Sequence, residues 1–564
     1  MTGEPTLDQR REALLTSYAE WPVRSTGDWL IETAKQYPDR EFVVTEDRTL
    51  TYRETLEWAR SIAKGLIALG LRPGEHVGLL MANEVEFIPV KFAVALAGAV
   101  AVPMNFLYRE HELAYVLEQS EVTFLLTMDN YIDLDYQNLL DAVAPGWDTG
   151  AKAADALPAL REVVVVGRAR PGVRDLAALE EAGRDGAEEF PGSDPTALSD
   201  ILYTSGTTGS PKGVMVTHDA VFRTGYASAL TRAYEDGRRI LFSLPCYHMF
   251  GYIEGILSAM MVGGAVILLP RFSPLAYLHG IDRHRATDIL CVPTMTVALL
   301  ETPGLDRYDL SSLRAILSGS APGPAWLWDQ VGDRLGVTEI VTGYGMTECG
   351  GAMTLTLPED SSETTATRVG RVKFAGAAGL AGPMGPLCEY RTADPVTGEI
   401  LPDGEEGELI SRGPTHMLGY WQKPAETDLA LRDGWVYSGD LGRVHADGYL
   451  EVTGRTKELY KSGGELVMPK EIEELLAALP GVSQVYAIGV PDEVWGDAGC
   501  VCIVRSPQST VTVEEILAHC RANLARFKVP KHVLFMEDAV LPRTPTGKIQ
   551  KYLLVQQAKE TLQP

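Results

Sequence analysis

Apolar residues recur along the chain at helical spacing, and short apolar runs separate the helical stretches. Thr51 and Glu54 form a capping box, which predicts a helix from there to Gly70. The apolar face of that helix consists of Leu56, Ala59, Ile62, Ala63, Leu66 and Leu69. The short runs, each typical of a buried strand, are Val77–Met81, Ala99–Val102, Val163–Val166, Ile240–Leu244, Ala265–Leu269, Asp288–Val292 and Ala315–Leu317. Strands that alternate with helices predict βαβ units and largely parallel, buried sheets.

The pattern changes after about residue 385, where glycine-rich turns separate short strands and predict an antiparallel, β-rich part. The Gly- and Ala-rich stretch before it, 369–386, is interpreted as a loop. From Pro469 the chain shows one more helix and strands near 485–490 and 501–504. We therefore expect an α/β fold with two domains. The large N-terminal domain, 1–455, contains parallel-rich sheets with helices and a β-rich subdomain, and the C-terminal domain, 456–564, is small and α+β.

Composition narrows the class of protein. The formal charge of −26 argues against a nucleic-acid partner, because binding a polyanion requires Lys and Arg to displace counterions. The seven cysteines form neither a disulfide framework nor the paired spacing of a zinc site. The N-terminus lacks an apolar signal core, and the longest apolar stretches, Phe92–Met104 and Gly255–Leu269, are interrupted by glycine. We expect a cytoplasmic protein without a membrane span, and the sequence carries no indication of oligomeric state.

One segment has the composition of a phosphate-binding loop. It runs from Tyr203 to Gly213 directly after the apolar pair Ile201 and Leu202. Its hydroxyl residues and glycines, which a closing Lys212 follows, are Thr204, Ser205, Gly206, Thr207, Thr208 and Gly209. Backbone N–H and hydroxyl groups in such a loop can surround phosphate oxygens. It is not a Walker A loop, because glycine rather than Ser or Thr follows the lysine. Composition alone leaves a Ser/Gly surface linker open.

This segment resembles the phosphate loop of the adenylate-forming superfamily, which comprises acyl-CoA synthetases, peptide-synthetase adenylation domains and luciferases. Motifs similar to those of the family follow in its order from about Trp29 to Leu554. The resemblance implies an enzyme that uses ATP and Mg2+ to convert a carboxylic acid into an acyl-adenylate, and then transfers the acyl group to the thiol of coenzyme A. It also implies that the small C-terminal domain is mobile.

The resemblance assigns roles to residues of the large domain. A motif at 343–348 comprises Gly343, Tyr344, Gly345, Met346, Thr347 and Glu348. It implies that Tyr344 stacks near adenine, that Thr347 contacts the phosphate region and that Glu348 helps to hold Mg2+. A second motif, similar to the segment that lies against adenine and the acid, contains Ser320, Ala321 and Pro322. His248 lies in a segment, Pro245–Gly251, that matches acyl-CoA synthetases, and the resemblance implies that it borders or gates the acyl site.

Further roles follow the resemblance toward the C-terminus. Asp440 is implied to accept hydrogen bonds from both ribose hydroxyls, although Ser438 replaces the usual threonine of that motif. Arg455 is implied to reach the nucleotide, and Lys457 to be the hinge between the domains. Gly463 and Gly464 match the loop that lines the thiol tunnel, where many relatives have a larger first residue. Lys548 matches the lysine that enters the active site for adenylation and is the expected catalytic residue, together with Thr347, Glu348, Lys212 and His248.

Three functions are compatible with these motifs. The leading hypothesis is an acid–CoA ligase. The second is a stand-alone adenylating enzyme that loads the pantetheine thiol of a carrier protein. The third, a non-catalytic ATP-binding regulator, is disfavoured because Lys548, Glu348 and Asp440 are all present. The sequence does not distinguish fatty, aryl and polycyclic acids as substrates.

Overall fold

The structure is a computed structural model, and it describes residues 5–149, 157–187, 189–204, 211–319, 323–382, 384–456, 458–462, 465–492, 496–524, 526–544, 547 and 549–562. It divides into two compact units. Unit 1 comprises Met1–Glu389 and Ser411–Val436, and unit 2 comprises Tyr390–Ile410 and Tyr437–Pro564. The α/β fold class is confirmed, whereas the domain boundary at 455/456 stays a prediction.

Unit 1 contains two large sheets. One has seven strands in the spatial order Glu339–Val341, Ala315–Ser318, Asp288–Cys291, Arg239–Phe242, Ala265–Leu268, Glu41–Val44 and Thr49–Thr51. The other has eight, in the order Gly419–Tyr420, Lys212–Thr217, Leu198–Thr204, Val100–Pro103, His76–Leu80, Phe124–Met128, Glu162–Val166 and Arg174–Asp175. Central strands of both sheets pair in parallel and are buried along their whole length, except for Arg239 at the start of its strand. This is why they read as continuous apolar runs in the sequence.

The helices of unit 1 cover these sheets. The predicted helix is present as Tyr52–Ala68, with the capping box between Thr51 and Glu54 in place. The other α-helices are Leu7–Ser17, Thr26–Gln36, Phe87–Leu96, Glu110–Gln119, Tyr136–Val143, Leu176–Ala182, His218–Thr231, Ser258–Met260, Pro274–His284, Pro293–Leu300, Ala325–Leu335, Ser362–Thr367 and Pro424–Ala430. A π-helix spans Phe250–Leu257, and short 3-10 helices span Leu305–Arg307, Thr347–Cys349 and Gly376–Ala378.

Smaller strand pairs complete unit 1. Gly343–Met346, Gly351–Leu355 and Arg371–Val372 form an antiparallel sheet. Asn130–Tyr131 pairs with Leu134–Asp135. The stretch 369–386, interpreted as a loop, therefore contains one short strand and one 3-10 turn. The strand forms because its backbone completes the edge of the sheet, a pairing that local composition does not reveal.

Unit 2 is built on an antiparallel-rich sheet. Its strands include Tyr460–Ser462, Glu465–Val467, Val482–Asp492, Gly496–Arg505 and His532–Phe535. The helices Pro469–Ala477, Val513–Asn523 and Lys551–Leu562, with 3-10 turns at Arg526–Lys528 and Asp538–Val540, pack with it. Val501 and Ile503 belong to one core cluster, whereas Cys500 and Cys502 belong to the other, as the two-residue period of a strand requires.

The β-rich part predicted after residue 385 is also present. Its strands are Glu389–Ala393, Gly407–Arg412, Leu431–Arg432, Trp435–Val444 and Leu450–Arg455. Three of these strands, Glu389–Ala393, Gly407–Arg412 and Trp435–Val444, carry the chain from one unit to the other. Within the described ranges, no helix combines the length and the apolar composition needed to span a membrane.

Candidate active site

Both ends of the predicted phosphate loop lie on neighbouring strands of the eight-stranded sheet. Strand Leu198–Thr204 leads into the loop, and strand Lys212–Thr217 leads out of it. The two strands are antiparallel, and Thr204 pairs with Lys212. The structure therefore places these two predicted residues side by side at one end of the strand pair. The predicted loop residues Ser205, Gly206, Thr207, Thr208 and Gly209 lie outside the described residues.

Helix Glu110–Gln119 makes side-chain hydrogen bonds to both ends of this loop. The hydroxyl of Tyr115 donates to the carbonyl of Pro211 at 3.1 Å, and the hydroxyl of Tyr203 donates to Gln119 Oε1. Gln119 Nε2 in turn donates to the carbonyl of Trp421 at 2.8 Å. The role of this helix was not predicted from the sequence, because a polar residue on an amphipathic helix gives no sign of its distant partner.

A buried ion pair lies beneath the strand that enters the loop. Lys91 Nζ is 2.7 Å from Asp200 Oδ1, and both side chains are almost completely buried. His218 Nδ1 lies 2.9 Å from Thr26 Oγ1 nearby, and burial lowers the pKa of His218 to about 4 while Asp200 opposes the shift. This cluster was not predicted from the sequence either.

The second motif forms a tight hairpin. Strand Gly343–Met346 pairs with Gly351–Leu355, and a 3-10 turn at Thr347–Cys349 joins them. A Cβ at Gly345 would lie 2.0 Å from the carbonyl oxygen of Gly351, so only glycine fits there. Tyr344 is half-buried on the same strand, opposite Thr354. The glycines thus permit the close approach of the strands that presents Thr347 and Glu348 in the turn.

Glu348 is buried and has an aromatic partner that the sequence analysis missed. Glu348 is 8% exposed, and the hydroxyl of Tyr420 donates to its Oε1 at 2.8 Å. Burial and the neighbouring carboxylate raise the pKa of Tyr420 well above its usual value, so the hydroxyl keeps its proton. The backbone N–H of Met417 donates to the carbonyl of Glu348 at 2.9 Å. The hydroxyl therefore holds the carboxylate, and the N–H of Met417 holds the backbone of the same residue.

The chemistry of this position fits Mg2+. A hard cation of this size takes carboxylate oxygen and usually completes its shell with water and substrate phosphates rather than with an all-protein cage. The described residues contain no group of three or more His, Cys, Asp or Glu side chains placed to hold a metal. Glu348 Oε1 accepts a hydrogen bond from the Tyr420 hydroxyl, and its carboxylate is the type of ligand that Mg2+ prefers.

The segment around His248 is an ordered turn that enters the π-helix. The backbone N–H of Phe250 donates to His248 Nδ1 at 3.2 Å, so this nitrogen acts as an acceptor. Buried Asn83 holds the start of the segment, because its Oδ1 accepts from the N–H of Cys246 at 2.9 Å and its Nδ2 donates to the carbonyl of Leu244 at 2.9 Å. Asn83 is a further residue that the sequence analysis missed.

Small residues after the turn face apolar side chains. A Cβ at Gly351 would lie 3.5 Å from Ile253 Cδ1 and 3.8 Å from Met249 Cβ. The same π-helix carries Glu254, whose Oε1 is 2.6 Å from Lys373 Nζ, with both side chains fully buried. Ser228 also donates to the Glu254 carboxylate. The charge is thus neutralised inside unit 1, and the surface toward Gly351 is apolar.

Unit 2 carries the predicted nucleotide residues Asp440 and Arg455. They are register partners on adjacent antiparallel strands, and Arg455 Nε lies 2.8 Å from Asp440 Oδ1. Asp440 is 5% exposed, and the hydroxyl of Ser438 accepts from its backbone N–H at 3.0 Å. Ser438 Oγ also donates to the carbonyl of Leu409 at 2.6 Å. The serine at this position therefore keeps the hydroxyl bonds that orient the aspartate turn.

Other predicted residues lie outside the described residues. These are Ser320, Ala321 and Pro322 of the adenine segment, the hinge candidate Lys457, the tunnel glycines Gly463 and Gly464, and the catalytic candidate Lys548. Their assignments stay predictions. The neighbouring Gly319 is described, and a Cβ there would lie 3.0 Å from the Phe250 ring, which connects the start of the adenine segment with the His248 turn.

Comparison with known proteins gives concordant matches over nearly the whole chain. Profiles of AMP-binding enzymes and of the AMP-binding enzyme C-terminal domain match residues 30–421 and 471–548, respectively. A Bacillus subtilis (strain 168) protein with the provisional name acyl-CoA synthetase YngI is 35% identical, covering 94% of this chain and 97% of the relative. The mitochondrial medium-chain acyl-CoA ligase ACSF2 of Danio rerio is 32% identical, covering 97% and 92%. The crystal structure of ATP-bound MatB from Rhodopseudomonas palustris matches with a TM-score of 0.81 and 30% identity, covering 95% of this chain and all of that one.

Proposed function

The chain belongs to the AMP-binding enzyme family and is an AMP-forming acyl-CoA synthetase, and we propose that Glu348, Lys212, Asp440 and Lys548 are the residues that carry its reaction. The enzyme uses ATP, Mg2+ and coenzyme A and ligates a small-molecule carboxylic acid. The observation that carries the proposal is that Tyr420 contacts both Glu348, through its hydroxyl, and Lys212, through its ring. Lys212 lies at one end of the phosphate loop, paired with Thr204 at the other end.

The first half-reaction makes a leaving group. A carboxylate is a poor acyl donor because its leaving group would be oxide. Its oxygen attacks the α-phosphorus of ATP, the bond to the bridging oxygen breaks, and pyrophosphate leaves with the bond electrons. Lys212 and Lys548, with the hydroxyls and amides of Ser205–Gly209, stabilise the negative charge that develops on the phosphate oxygens. When bound, Mg2+ at Glu348 neutralises charge on those oxygens.

The second half-reaction uses AMP as the leaving group. The thiol sulfur attacks the acyl carbon, the bond from that carbon to the AMP oxygen breaks, and the thiol proton passes to solvent. Asp440 accepts the ribose hydroxyls and Arg455 holds the aspartate, so that the nucleotide stays in place through both steps. Gly463 and Gly464 leave room for the pantetheine arm, and Lys457 is the hinge of a C-terminal domain that presents Lys548 first and the glycines afterwards.

The acid that fits best is apolar. Gly351 faces Ile253 and Met249, and the charges of Glu254 and Lys373 neutralise each other within the buried pair. Burying an unpaired charged group of a substrate against such a surface would be costly. The expected substrates are therefore apolar acids, whether fatty, aryl or polycyclic, rather than amino acids or short dicarboxylates.

The test is pyrophosphate release across octanoate, cinnamate, malonate and leucine, with and without CoA, together with detection of the acyl-CoA product. Octanoate or cinnamate should support CoA-dependent turnover best. A preference for malonate or leucine would contradict the apolar assignment. Replacing CoA by a phosphopantetheinylated carrier protein decides the remaining alternative, because faster thioester formation on the carrier would make it the physiological acceptor.

The proposed location is the cytoplasm. All seven cysteines are free and buried, which suits a reducing compartment. Cell fractionation of the native host, with activity measured in each fraction, tests this location, and activity recovered with the membranes would contradict it.

A further inference from the structure

Tyr420 contacts two of the groups to which the proposed function assigns phosphate and metal chemistry. Its hydroxyl donates to Glu348 Oε1 at 2.8 Å. Its ring faces Lys212, whose Nζ lies 4.9 Å from the ring centroid, within the range of a cation–π interaction. Tyr420 is 6% exposed and Glu348 is 8% exposed, so their contact is shielded from water, whereas Lys212 is half-buried. One side chain therefore connects the proposed magnesium ligand with the lysine that closes the phosphate loop.

The backbone of Tyr420 is fixed to the same sheet as Lys212. Tyr420 pairs with Val214, and Gly419 pairs with Met215, on the strand that Lys212 begins. The N–H of Trp421 donates to the carbonyl of Gly213 at 2.8 Å, and the N–H of Tyr420 donates to Thr427 Oγ1 at 2.9 Å. These bonds fix the backbone of Tyr420, so the sheet sets the place from which its side chain extends relative to the strand of Lys212.

A second support comes from the helix at the loop ends. Gln119 accepts from the hydroxyl of Tyr203 and donates to the carbonyl of Trp421 at 2.8 Å, so the entry to the phosphate loop and the segment of Tyr420 share one side chain. On the other side, the N–H of Met417 and the hydroxyl of Thr415 donate to the carbonyls of Glu348 and Cys349, both at 2.9 Å. The segment is thus tied to the phosphate loop and to the metal motif.

We infer that Tyr420 is a positioning residue, which holds the carboxylate of Glu348 and the ammonium group of Lys212 in a fixed relation for binding of the metal–nucleotide substrate. The inference rests on the proposed roles of Glu348 and Lys212. The hydrogen bond from the hydroxyl orients the carboxylate, as hydrogen-bond partners of metal ligands commonly do. The ring supplies a face for the lysine and contributes no group to the reaction.

The first test is Tyr420→Phe, which removes the hydroxyl and keeps the ring. Binding of Mn2+ to the full-length protein with α,β-methylene-ATP is measured by electron paramagnetic resonance, and the Mg2+ dependence of pyrophosphate release is measured in parallel. Partners of metal ligands typically change metal affinity 10–100-fold, and we expect a loss of roughly tenfold in both measurements. The KM for ATP at saturating Mg2+ should stay within about twofold, since the ring remains.

The second variant, Tyr420→Leu, removes the ring as well. It should show the same metal defect and, in addition, a KM for ATP raised by roughly three- to tenfold at saturating Mg2+, because Lys212 loses the aromatic face. A merely structural residue would not produce this division between the two variants. Equal KM values for ATP in Tyr420→Phe and Tyr420→Leu would overturn the part of the inference that concerns Lys212.

Tyr52→Phe is the matched control. Tyr52 is fully buried in unit 1, and its hydroxyl donates to the carbonyl of Gly264 at 2.7 Å, outside the proposed site. The variant loses one buried hydrogen bond of the same kind and should keep wild-type metal affinity. A metal defect in Tyr52→Phe equal to that of Tyr420→Phe would assign the effect to lost stability and overturn the inference.

Glu348→Gln separates failure of the inference from failure of the proposed function. If Glu348→Gln weakens Mn2+ binding and Tyr420→Phe does not, the inference is wrong and the metal assignment stands. If neither variant weakens binding, Glu348 is not the metal ligand and both fall. If both weaken it, the double variant should bind Mn2+ no more weakly than Glu348→Gln alone, because Tyr420 acts through that carboxylate. Additive losses would contradict such an action.

Discussion

The two carboxylates of the proposed chemistry are buried, and each has a donor at one oxygen. Arg455 lies 2.8 Å from Asp440 Oδ1, and the Tyr420 hydroxyl lies 2.8 Å from Glu348 Oε1. Burying a charged group is costly unless it is paired or hydrogen-bonded. These partners therefore permit a charged acceptor to stay in a poorly hydrated position, where it interacts with a substrate more strongly than it would in water.

Replacing Asp440 should weaken ATP binding. Asp440→Ala removes a charged acceptor for the two ribose hydroxyls, each hydrogen bond contributing about 1.5–3 kcal/mol, so the KM for ATP should rise at least roughly tenfold. Asp440→Asn keeps one carbonyl oxygen and should show a smaller rise. Both are measured by pyrophosphate release. Asp447→Ala, at an exposed turn of the same strand pair, is the control, and an unchanged KM for ATP in folded Asp440→Ala would refute the ribose assignment.

Buried histidines make stability depend on pH. Burial lowers the pKa of His218 and of His416 from 6.5 to about 4 in the folded chain. Between these values the unfolded chain binds protons that the folded chain excludes, so the free energy of unfolding should fall as the pH drops from about 6.5 to about 4. Each histidine contributes on the order of 3 kcal/mol to this loss. Above pH 7 both are neutral in either state and the contribution disappears.

The measurement is denaturant unfolding at pH 7.5 and pH 4.5 for the wild type, His218→Gln and His416→Gln. Each variant should lose less stability between the two pH values than the wild type does. His111→Gln, on an exposed helix face, is the control for general effects of the substitution. Equal losses in all four proteins would show that carboxylates, rather than these histidines, dominate acid unfolding.

At the scale of elements, the hairpin that carries Thr347 and Glu348 depends on backbone proximity. Gly345→Ala would place a Cβ 2.0 Å from the carbonyl oxygen of Gly351, and backbone on both sides would have to move. We expect the free energy of unfolding to fall by about 1–3 kcal/mol, as for other overpacked sites. The folded variant should also turn over more slowly, because the turn with Glu348 is displaced. Thermal melting and pyrophosphate release of the same preparation measure both effects.

Gly332→Ala is the control for that hairpin variant. Gly332 lies inside helix Ala325–Leu335, where a Cβ would only reach ordinary contact with the carbonyl oxygen of Val337 at 3.6 Å. This change should leave activity intact and raise stability slightly, because alanine is the better helix former. If Gly345→Ala were as active as Gly332→Ala, the close packing of the hairpin would not govern the position of Glu348.

At the scale of the whole molecule, the proposed mechanism requires the two half-reactions to be separable. A lysine suited to the α-phosphate would obstruct a thiol that approaches the acyl carbon, so the C-terminal domain must present different residues in the two steps. Lys548→Ala should abolish acyl-adenylate formation and still convert supplied acyl-adenylate and CoA into thioester. Gly464→Leu should do the reverse by filling the tunnel. Lys457→Pro should slow thioester formation, because proline restricts the φ of the hinge.

Both half-reactions are measured for each variant with a common acid, after normal melting behaviour has been established. Lys559→Ala, on the last turn of helix Lys551–Leu562, removes a C-terminal lysine outside the motif and is the control for Lys548→Ala. If Lys548→Ala and Gly464→Leu slowed both steps equally, the rotating-domain mechanism would have to be abandoned for this protein.

Sequence alone determined the elements whose causes are local. The capping box at Thr51 and Glu54, the apolar run Val77–Met81, observed as the strand His76–Leu80, and the alternation around Cys500 and Cys502 each have local causes. They follow from neighbours in the chain, through side-chain capping or the burial period of a helix or strand. The ordered motifs determined the family for the same reason: each is a contiguous segment whose residues act together, so it can be recognised without knowledge of the fold.

Only the tertiary structure decided the partners that come from distant segments. Tyr420 meets Glu348 across 72 positions of sequence, Gln119 meets Trp421 across 302, and Lys91 meets Asp200 through packing of a helix against a sheet. A hydrogen bond depends on the position of two groups in space, and local composition constrains that position only within one element. A buried tyrosine, glutamine or lysine therefore looks like ordinary core or surface in the sequence, until the fold brings its partner to it.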